Sequence, residues 1–320
     1  PRVSGVESPQ LVIAVLTYQR PDDLVGALDA LVQHVADSPV DASILVIDND
    51  EEPTAAQTVA HYRDAGVGYV HERRPGIASA RNRAIDESDD RRLLVFIDDD
   101  ERPRPGWLAS LYETWQRSGA AAVVGPVIST FDGPLDPWIE AGGFFERRRL
   151  PTGTPVRVAA TNNLLLDLDV IRRHGLRFDD RFGISGGSDT VFTRQIAARG
   201  ELTVWCDEAI VTDVVPQSRL SRDWVLRRAE RMGNSWSRAE LAGCESRSQI
   251  AAVRCRLTGE ALARVVVGGA RASYGRLRRS PGHHAHGRRT LARGRGMLGG
   301  AWGAVVVEYG RADTRARGEA

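Results

Sequence analysis

An α/β fold with a mostly parallel central sheet, flanked by helices and followed by a basic helical extension, is the architecture this sequence predicts. Three observations carry the prediction. Apolar runs alternate with segments of helical period through the first hundred residues, and that alternation builds parallel sheets with right-handed crossovers. The runs in "LVIAVLTY" (11–18), "ASILVID" (42–48) and "RLLVFIDDDE" (92–101) are nearly unbroken and then stop on polar or acidic residues, as strands covered on both faces do. Beyond Pro216 the composition changes: residues 219–320 hold 21 Arg against 8 Asp and Glu.

The elements follow in order. After the first strand, "PDDLVGALDALVQHVAD" (21–37) puts Leu24, Leu28, Leu31, Val32 and Val35 on one helical face. Pro21 suits its first turn. The strand at 42–48 ends on Asp48 and Asn49, and a second helix fits 54–65. "VGYVHE" (67–72) is a short strand, and "SARNRAIDES" (79–88) is a helix leading into the acidic strand. A helix fits from Trp107 to Arg117, and "AAAVVGPV" (120–127) is a strand. Residues 129–160, with "GPLDPW" and "AGGFFERRR", read as an irregular segment, a mobile-loop candidate. "NNLLLD" (162–167) returns to strand. "FGISGGSDTVFTRQIAARG" (182–200) gives a glycine loop and a helix starting at Ser188, Asp189 and Thr190, and 202–215 holds two short strands. The division is thus 1–218 for the α/β domain and 219–320 for the basic helical region. In the latter, 223–241 is one helix and 247–278 one or two more. "SPGHHAHGRR" (280–289) reads as a loop, and 296–310 is apolar and glycine-rich.

Composition narrows the function classes. The net charge is only +1, and all 43 basic residues are Arg. The three cysteines, Cys206, Cys244 and Cys255, match no zinc spacing, so a reduced compartment is the simpler expectation. "LVIAVL" is too short for a signal-peptide core, and no run approaches the ~20 apolar residues of a spanning helix. A cytoplasmic protein is expected. Its basic region is either a solvated helical cap or a peripheral element on an anionic membrane surface at the inner face of the cell membrane. No aromatic platform or recognition motif suggests nucleic acid.

Open α/β sheets place ligands at the carboxyl ends of their strands. Four polar segments fall there: "TYQR" (17–20), "DND" (48–50), "RPGIASARN" (74–82) and "FIDDDE" (96–101). They supply carboxylates, arginines suited to phosphate, and a glycine for close backbone approach. The packed acids are either a solvated turn or a metal site.

Taken with "TNNLLL" (161–166) and "GGSDT" (186–190), these segments in this order resemble the inverting glycosyltransferases of family 2, which have the Rossmann-like GT-A fold. The resemblance covers residues 11 to 215. It implies that Asp98 and Asp100 carry Mn²⁺ or Mg²⁺ as an Asp-x-Asp motif. It also implies that Asp48 faces the nucleobase and that Thr17, Tyr18 and Arg20 line the base and phosphate pocket. Arg81 and Asp98 would lie by the diphosphate, and Asn162 and Asn163 near the donor sugar. Asp189 would be the general base; Ser188 stands where the family usually has Glu. Asp213 stands where a third metal ligand, often His, is expected.

The implied activity is transfer of a sugar from a nucleoside diphosphate, UDP or dTDP favoured, to a hydroxyl. The acceptor would be a glycan, a lipid-linked saccharide or a secondary metabolite, as in cell-wall or polysaccharide biosynthesis. Two rivals remain. A nucleotidyltransferase needs a Gly-rich signature after the first strand, which "TYQRPDD" is not. A non-catalytic sugar-nucleotide-binding protein or membrane-surface scaffold has no need of the intact acid set.

Overall fold

The computed structural model describes residues 11–306. The first strand, β1 (Leu11–Thr17), is buried throughout, and α1 (Pro21–Asp37) covers it with Leu24, Ala27, Leu28 and Leu31. Next come β2 (Ala42–Asp48), the short α2 (Ala56–Ala60), β3 (Gly68–His71) and α3 (Ile77–Asp86). The acidic strand β4 (Leu93–Asp98) turns at once into β5 (Glu101–Pro103). Then follow α4 (Trp107–Ser118), β6 (Ala122–Val124), β7 (Val127–Phe131) and α5 (Pro137–Ala141). The domain closes with β8 (Asn163–Asp167), α6 (Leu168–Arg173), α7 (Ser188–Ala198), β9 (Thr203–Trp205) and β10 (Val211–Val215). Three helices complete the described chain: α8 (Arg222–Ala242), α9 (Arg247–Leu277) and α10 (Pro281–Ala301).

The main sheet has seven strands in the order β3-β2-β1-β4-β8-β6-β9. Only β8 runs against its neighbours. Alternate side chains of one strand enter opposite faces: Ile13 and Val15 join one core, Val12, Ala14 and Leu16 the other, and β4 divides in the same way. Each fully buried Leu or Val contributes about 2 kcal/mol, which is why the apolar runs were nearly continuous.

A second, three-stranded sheet, β5-β10-β7, was not legible in the sequence. Its register sets Asp213 opposite Glu101. Thus the chain that leaves β4 at the acidic turn is held in place by a strand from much later in the sequence.

Two expectations change. Residues 280–289 are not a loop: they form the first half of α10. Ser280 caps that helix by accepting from the His283 amide, and Pro281 occupies its first turn. Gly287, Gly296 and Gly300 of α10 face neighbouring backbones. A Cβ on Gly287 would stand 2.3 Å from the Ala272 amide nitrogen, and one on Gly296 1.7 Å from the Glu230 carbonyl oxygen. Close packing therefore offsets the ~1 kcal/mol that each helical glycine costs. Residues 129–160 remain partly irregular but are pinned. Trp138, Ile139 and Phe145 are buried with Val215, Val225 and Ala285, and the Trp138 indole donates to His284 Nδ1 at 2.9 Å.

Candidate active site

A cleft of about 540 Å³ opens at the carboxyl ends of β1 and β4, a volume ordinary for small-ligand sites. Two helix N-termini point into it. Gly76, at φ +106°, opens α3 after accepting a turn that few other residues tolerate; its amide donates to Asn49 Oδ1 at 3.0 Å. Gly187, at φ +97°, opens α7 just before Ser188 and Asp189. Arg81 on α3 joins the two helices, donating to the Ser188 hydroxyl at 2.7 Å.

Of the residues the sequence singled out, Thr17, Tyr18, Arg20, Arg81, Asp98, Asp100, Asn162, Asp189 and Asp213 line this cleft. Three do not. Asp48 is fully buried, and its carboxylate accepts from the Asp50 and Ala55 amides and the Tyr69 hydroxyl at 3.1, 2.8 and 2.9 Å. It orders its own turn; Asn49, one residue on, reaches the cleft. Asn163 is fully buried as well. It accepts from the Trp107 indole at 2.8 Å and donates to the Pro126 and Ala209 carbonyls. It thus ties β8 to the strands beyond. Ser188 is buried beneath Arg81 and positions the start of α7.

The acidic turn is a network rather than a row of solvated charges. Asp99 accepts from the Thr17 hydroxyl at 2.8 Å and from Arg20 at 3.1 Å. Asp100 accepts from Arg20 at 3.1 Å and from Arg219 at 3.2 Å. Glu101 accepts from Asn162 at 2.7 Å and from the Asp98 amide at 3.1 Å. Burial, together with the neighbouring Asp100 charge, pushes the Asp98 carboxyl up to about 7. Burial also raises Asp99 to about 6, with Arg20 pulling the other way. Glu101 is raised well above the usual range by burial and by Asp98, and burial together with Asp100 also raises Asp213. A cation near these groups would relieve the crowding.

Among the described residues, no three His, Cys, Asp or Glu side chains converge to hold a metal unaided. The donor chemistry still suits a hard cation that takes part of its shell from a ligand: the candidates are all carboxylate oxygens. In addition, Asp213 Oδ1 is buried without a hydrogen-bond partner, while Oδ2 accepts from Arg147 at 3.0 Å.

One wall of the cleft is not evident in the sequence. Arg219, Trp224, Arg228 and Arg231 line it from beyond residue 218, with Phe145 and Arg147 from the 129–160 segment. The boundary at 218 therefore falls within the site. The spacing of Trp224, Arg228 and Arg231 puts them on one face of α8, and that stripe was the available signal.

The comparisons with known proteins agree with this architecture. Residues 12–175 match the family described as Glycosyl transferase family 2. The chain is 35% identical over 236 residues to the succinoglycan biosynthesis protein ExoM of Rhizobium meliloti (strain 1021), covering 72% of this chain and 75% of that one. A solved structure described as "Crystal structure of GalNAc-T7 with UDP, GalNAc and Mn2+" superposes with a TM-score of 0.52 at 13% identity over 75% of this chain. This chain spans about half of that one, 52%, so the likeness speaks for the fold alone. With a ligand-sized cleft at the carboxyl edge of a mostly parallel GT-A sheet, and this match in sequence, the chain belongs to glycosyl transferase family 2.

Proposed function

We propose that the protein transfers a sugar from a nucleoside diphosphate, UDP or dTDP, to a hydroxyl of a growing, lipid-linked saccharide, inverting the anomeric centre in one displacement. The observation that carries this reading is that Asp189 and the Asp98–Asp100 turn line one cleft although they are far apart in sequence. The succinoglycan biosynthesis relative supports a polysaccharide acceptor. The GalNAc-T7 structure, alike in fold alone, holds UDP and Mn²⁺; the acidic turn and the arginines of this cleft are what extend that pair to this chain.

In this mechanism the acceptor oxygen attacks the anomeric carbon as the bond to the diphosphate oxygen breaks, and Asp189 takes the hydroxyl proton. Arg20, Arg81 and Arg219 hold the diphosphate through charge-assisted hydrogen bonds. Tyr18 and Asn49 border the nucleoside. Asp98 and Asp100, with Asp213 behind them, would hold Mn²⁺ or Mg²⁺, which stabilises charge on the leaving diphosphate. Asn162 fixes Glu101 beneath the turn, so the acidic loop is already shaped before the donor binds.

The test is incubation with a panel of UDP-, dTDP- and GDP-sugars and Mn²⁺, following nucleotide release and the anomeric configuration of the product. Release of a nucleoside diphosphate with inversion is expected. Pyrophosphate in its place would make the protein a nucleotidyltransferase, and binding without turnover would make it a sensor.

A further inference from the structure

The long helix α9 buries the wrong side chains for a helix surrounded by water. Apart from Leu257, its buried stripe is Ala261, Gly268, Ala272 and Gly275, pressed on α10. A Cβ added at Gly268 would stand 2.5 Å from the Leu291 amide nitrogen, and one at Gly275 2.2 Å from that of His284, so the contact admits only small residues. The larger aliphatic side chains point outward instead. Val266 is 69% exposed, Val267 60% and Leu277 83%, with Leu262 and Tyr274 about half exposed. At 3.6 residues per turn all five fall within about 140° of the helix circumference, one continuous face. At α10's end, exposed Trp302 stands beside α9, donating to the Thr258 hydroxyl at 3.1 Å.

Charge accompanies this apolar face. Residues 246–306 carry twelve Arg and one acidic residue, Glu260. Glu260 is itself paired with Arg256 and Arg264. Arg271, Arg276, Arg278, Arg288, Arg293 and Arg295 are exposed. Helix α9 has 31 residues, enough to reach across a bilayer, but no described helix is apolar enough to cross one. An apolar stripe bordered by arginine on such a helix fits the headgroup region, where the stripe sinks and the guanidinium groups stay with lipid phosphates.

We propose that the outer face of α9, with the arginines of the α9–α10 hairpin, docks on the surface of a bilayer rich in anionic phospholipid. Val266, Val267 and Leu262 enter the boundary between headgroups and acyl chains. The hairpin also holds the cleft: Arg289 donates to the Gly142 and Gly143 carbonyls, just before Phe145 and Arg147. Docking therefore tethers the cleft near the membrane, where a lipid-linked acceptor would be found. Docking and catalysis are separable, because no residue of the stripe lines the cleft.

The experiment is flotation of the full chain with vesicles of phosphatidylcholine, alone or with about 30% phosphatidylglycerol. Binding is expected only to the anionic vesicles, falling about tenfold when salt rises from about 0.1 to 0.5 M. The V266D/V267D variant should bind at least about tenfold less, and V266S/V267S should lie between it and the unaltered protein. Both should release nucleotide from the donor, without lipid, at the unaltered rate; loss of that release in the unaltered protein would count against the proposed reaction and not against docking. Three results would overturn the proposal: equal partition onto neutral vesicles, no flotation, or unaltered flotation of V266D/V267D. A dimer in solution that V266D/V267D dissolves would overturn it too, making the face a contact between two copies of the chain.

Discussion

The acidic turn at Asp98–Glu101 and the arginine-rich hairpin of α9 and α10 both crowd like charges, yet their surroundings differ. In the turn, Asp99, Asp100 and Glu101 are buried, so water relieves the charges poorly and the carboxyls of Asp98 and Asp99 rise to about 7 and about 6. In the hairpin most guanidinium groups are exposed, where water and salt screen them over about 10 Å. The same density of charge thus lines a cleft where it is buried and forms a solvated surface where it is not. Arginine serves both regions: Arg20 and Arg219 reach into the turn and neutralise Asp100.

The contrast is broken most sharply by removing Asp189, the carboxylate proposed as the base, which lines the cleft outside the crowded turn. Asp189→Asn should lower turnover about 10³-fold, within the range for a positioned base, with nucleotide affinity unchanged in a titration. More than a tenth of the original activity would place the base elsewhere. Next in size, Asp100→Asn removes charge from the buried turn and leaves Arg20 and Arg219 without their shared partner. Donor affinity in the presence of Mn²⁺ should fall about 100-fold, or about 2.7 kcal/mol, and the Mn²⁺ titration should shift to higher concentration. An unshifted titration would remove Asp100 from the metal site.

The hairpin side is sharpened by Gly296→Ala, which forces a Cβ against the Glu230 carbonyl. It should cost about 2 kcal/mol and lower kcat/KM as well, because the helix it displaces, α8, carries Arg228 and Arg231 into the cleft. Gly259→Ala is the companion variant: nothing stands within 4 Å of its Cβ, so it should leave both readings intact. If kcat/KM survives Gly296→Ala, the wall from α8 is dispensable.

The smallest effect concerns His284. Burial, with Arg288, Arg276 and Arg222 nearby, lowers its pKa, keeping Nδ1 free to accept from Trp138. A folded pKa below the unfolded value means that this contribution is complete above about 6.5 and is lost as pH falls through the folded value. The melting temperature should therefore decline on acidification below pH ~6, and His284→Phe should flatten that part of the profile.

Much of this was legible along the chain, because strands and helices betray themselves through local period. The apolar runs located β1, β2 and β4, and stopping on Thr17-Tyr18 and on Asp98 marked the rim that lines the cleft. The glycine pair before it placed Asp189 at the start of a helix, while its role as a base was only what the family resemblance implied. By contrast, nothing near Asp48 announces that its carboxylate is taken up by the Ala55 amide and the Tyr69 hydroxyl. Nor does the glycine-rich stretch from residue 281 announce a helix, since its stability lies in backbone contact with α8 and α9.

The sequence by itself determined the strands of the main sheet, the apolar face of α1 and most of the chemical groups that reach the sheet's carboxyl edge. All of these follow from neighbours a few residues apart. Only the tertiary structure decided that Asp213 lies opposite Glu101, that Arg219, Arg228 and Arg231 close the cleft, and that α9 turns its valines outward. Those outcomes depend on which distant surfaces pack together, and close packing is a property of pairs of surfaces that no single stretch of chain encodes.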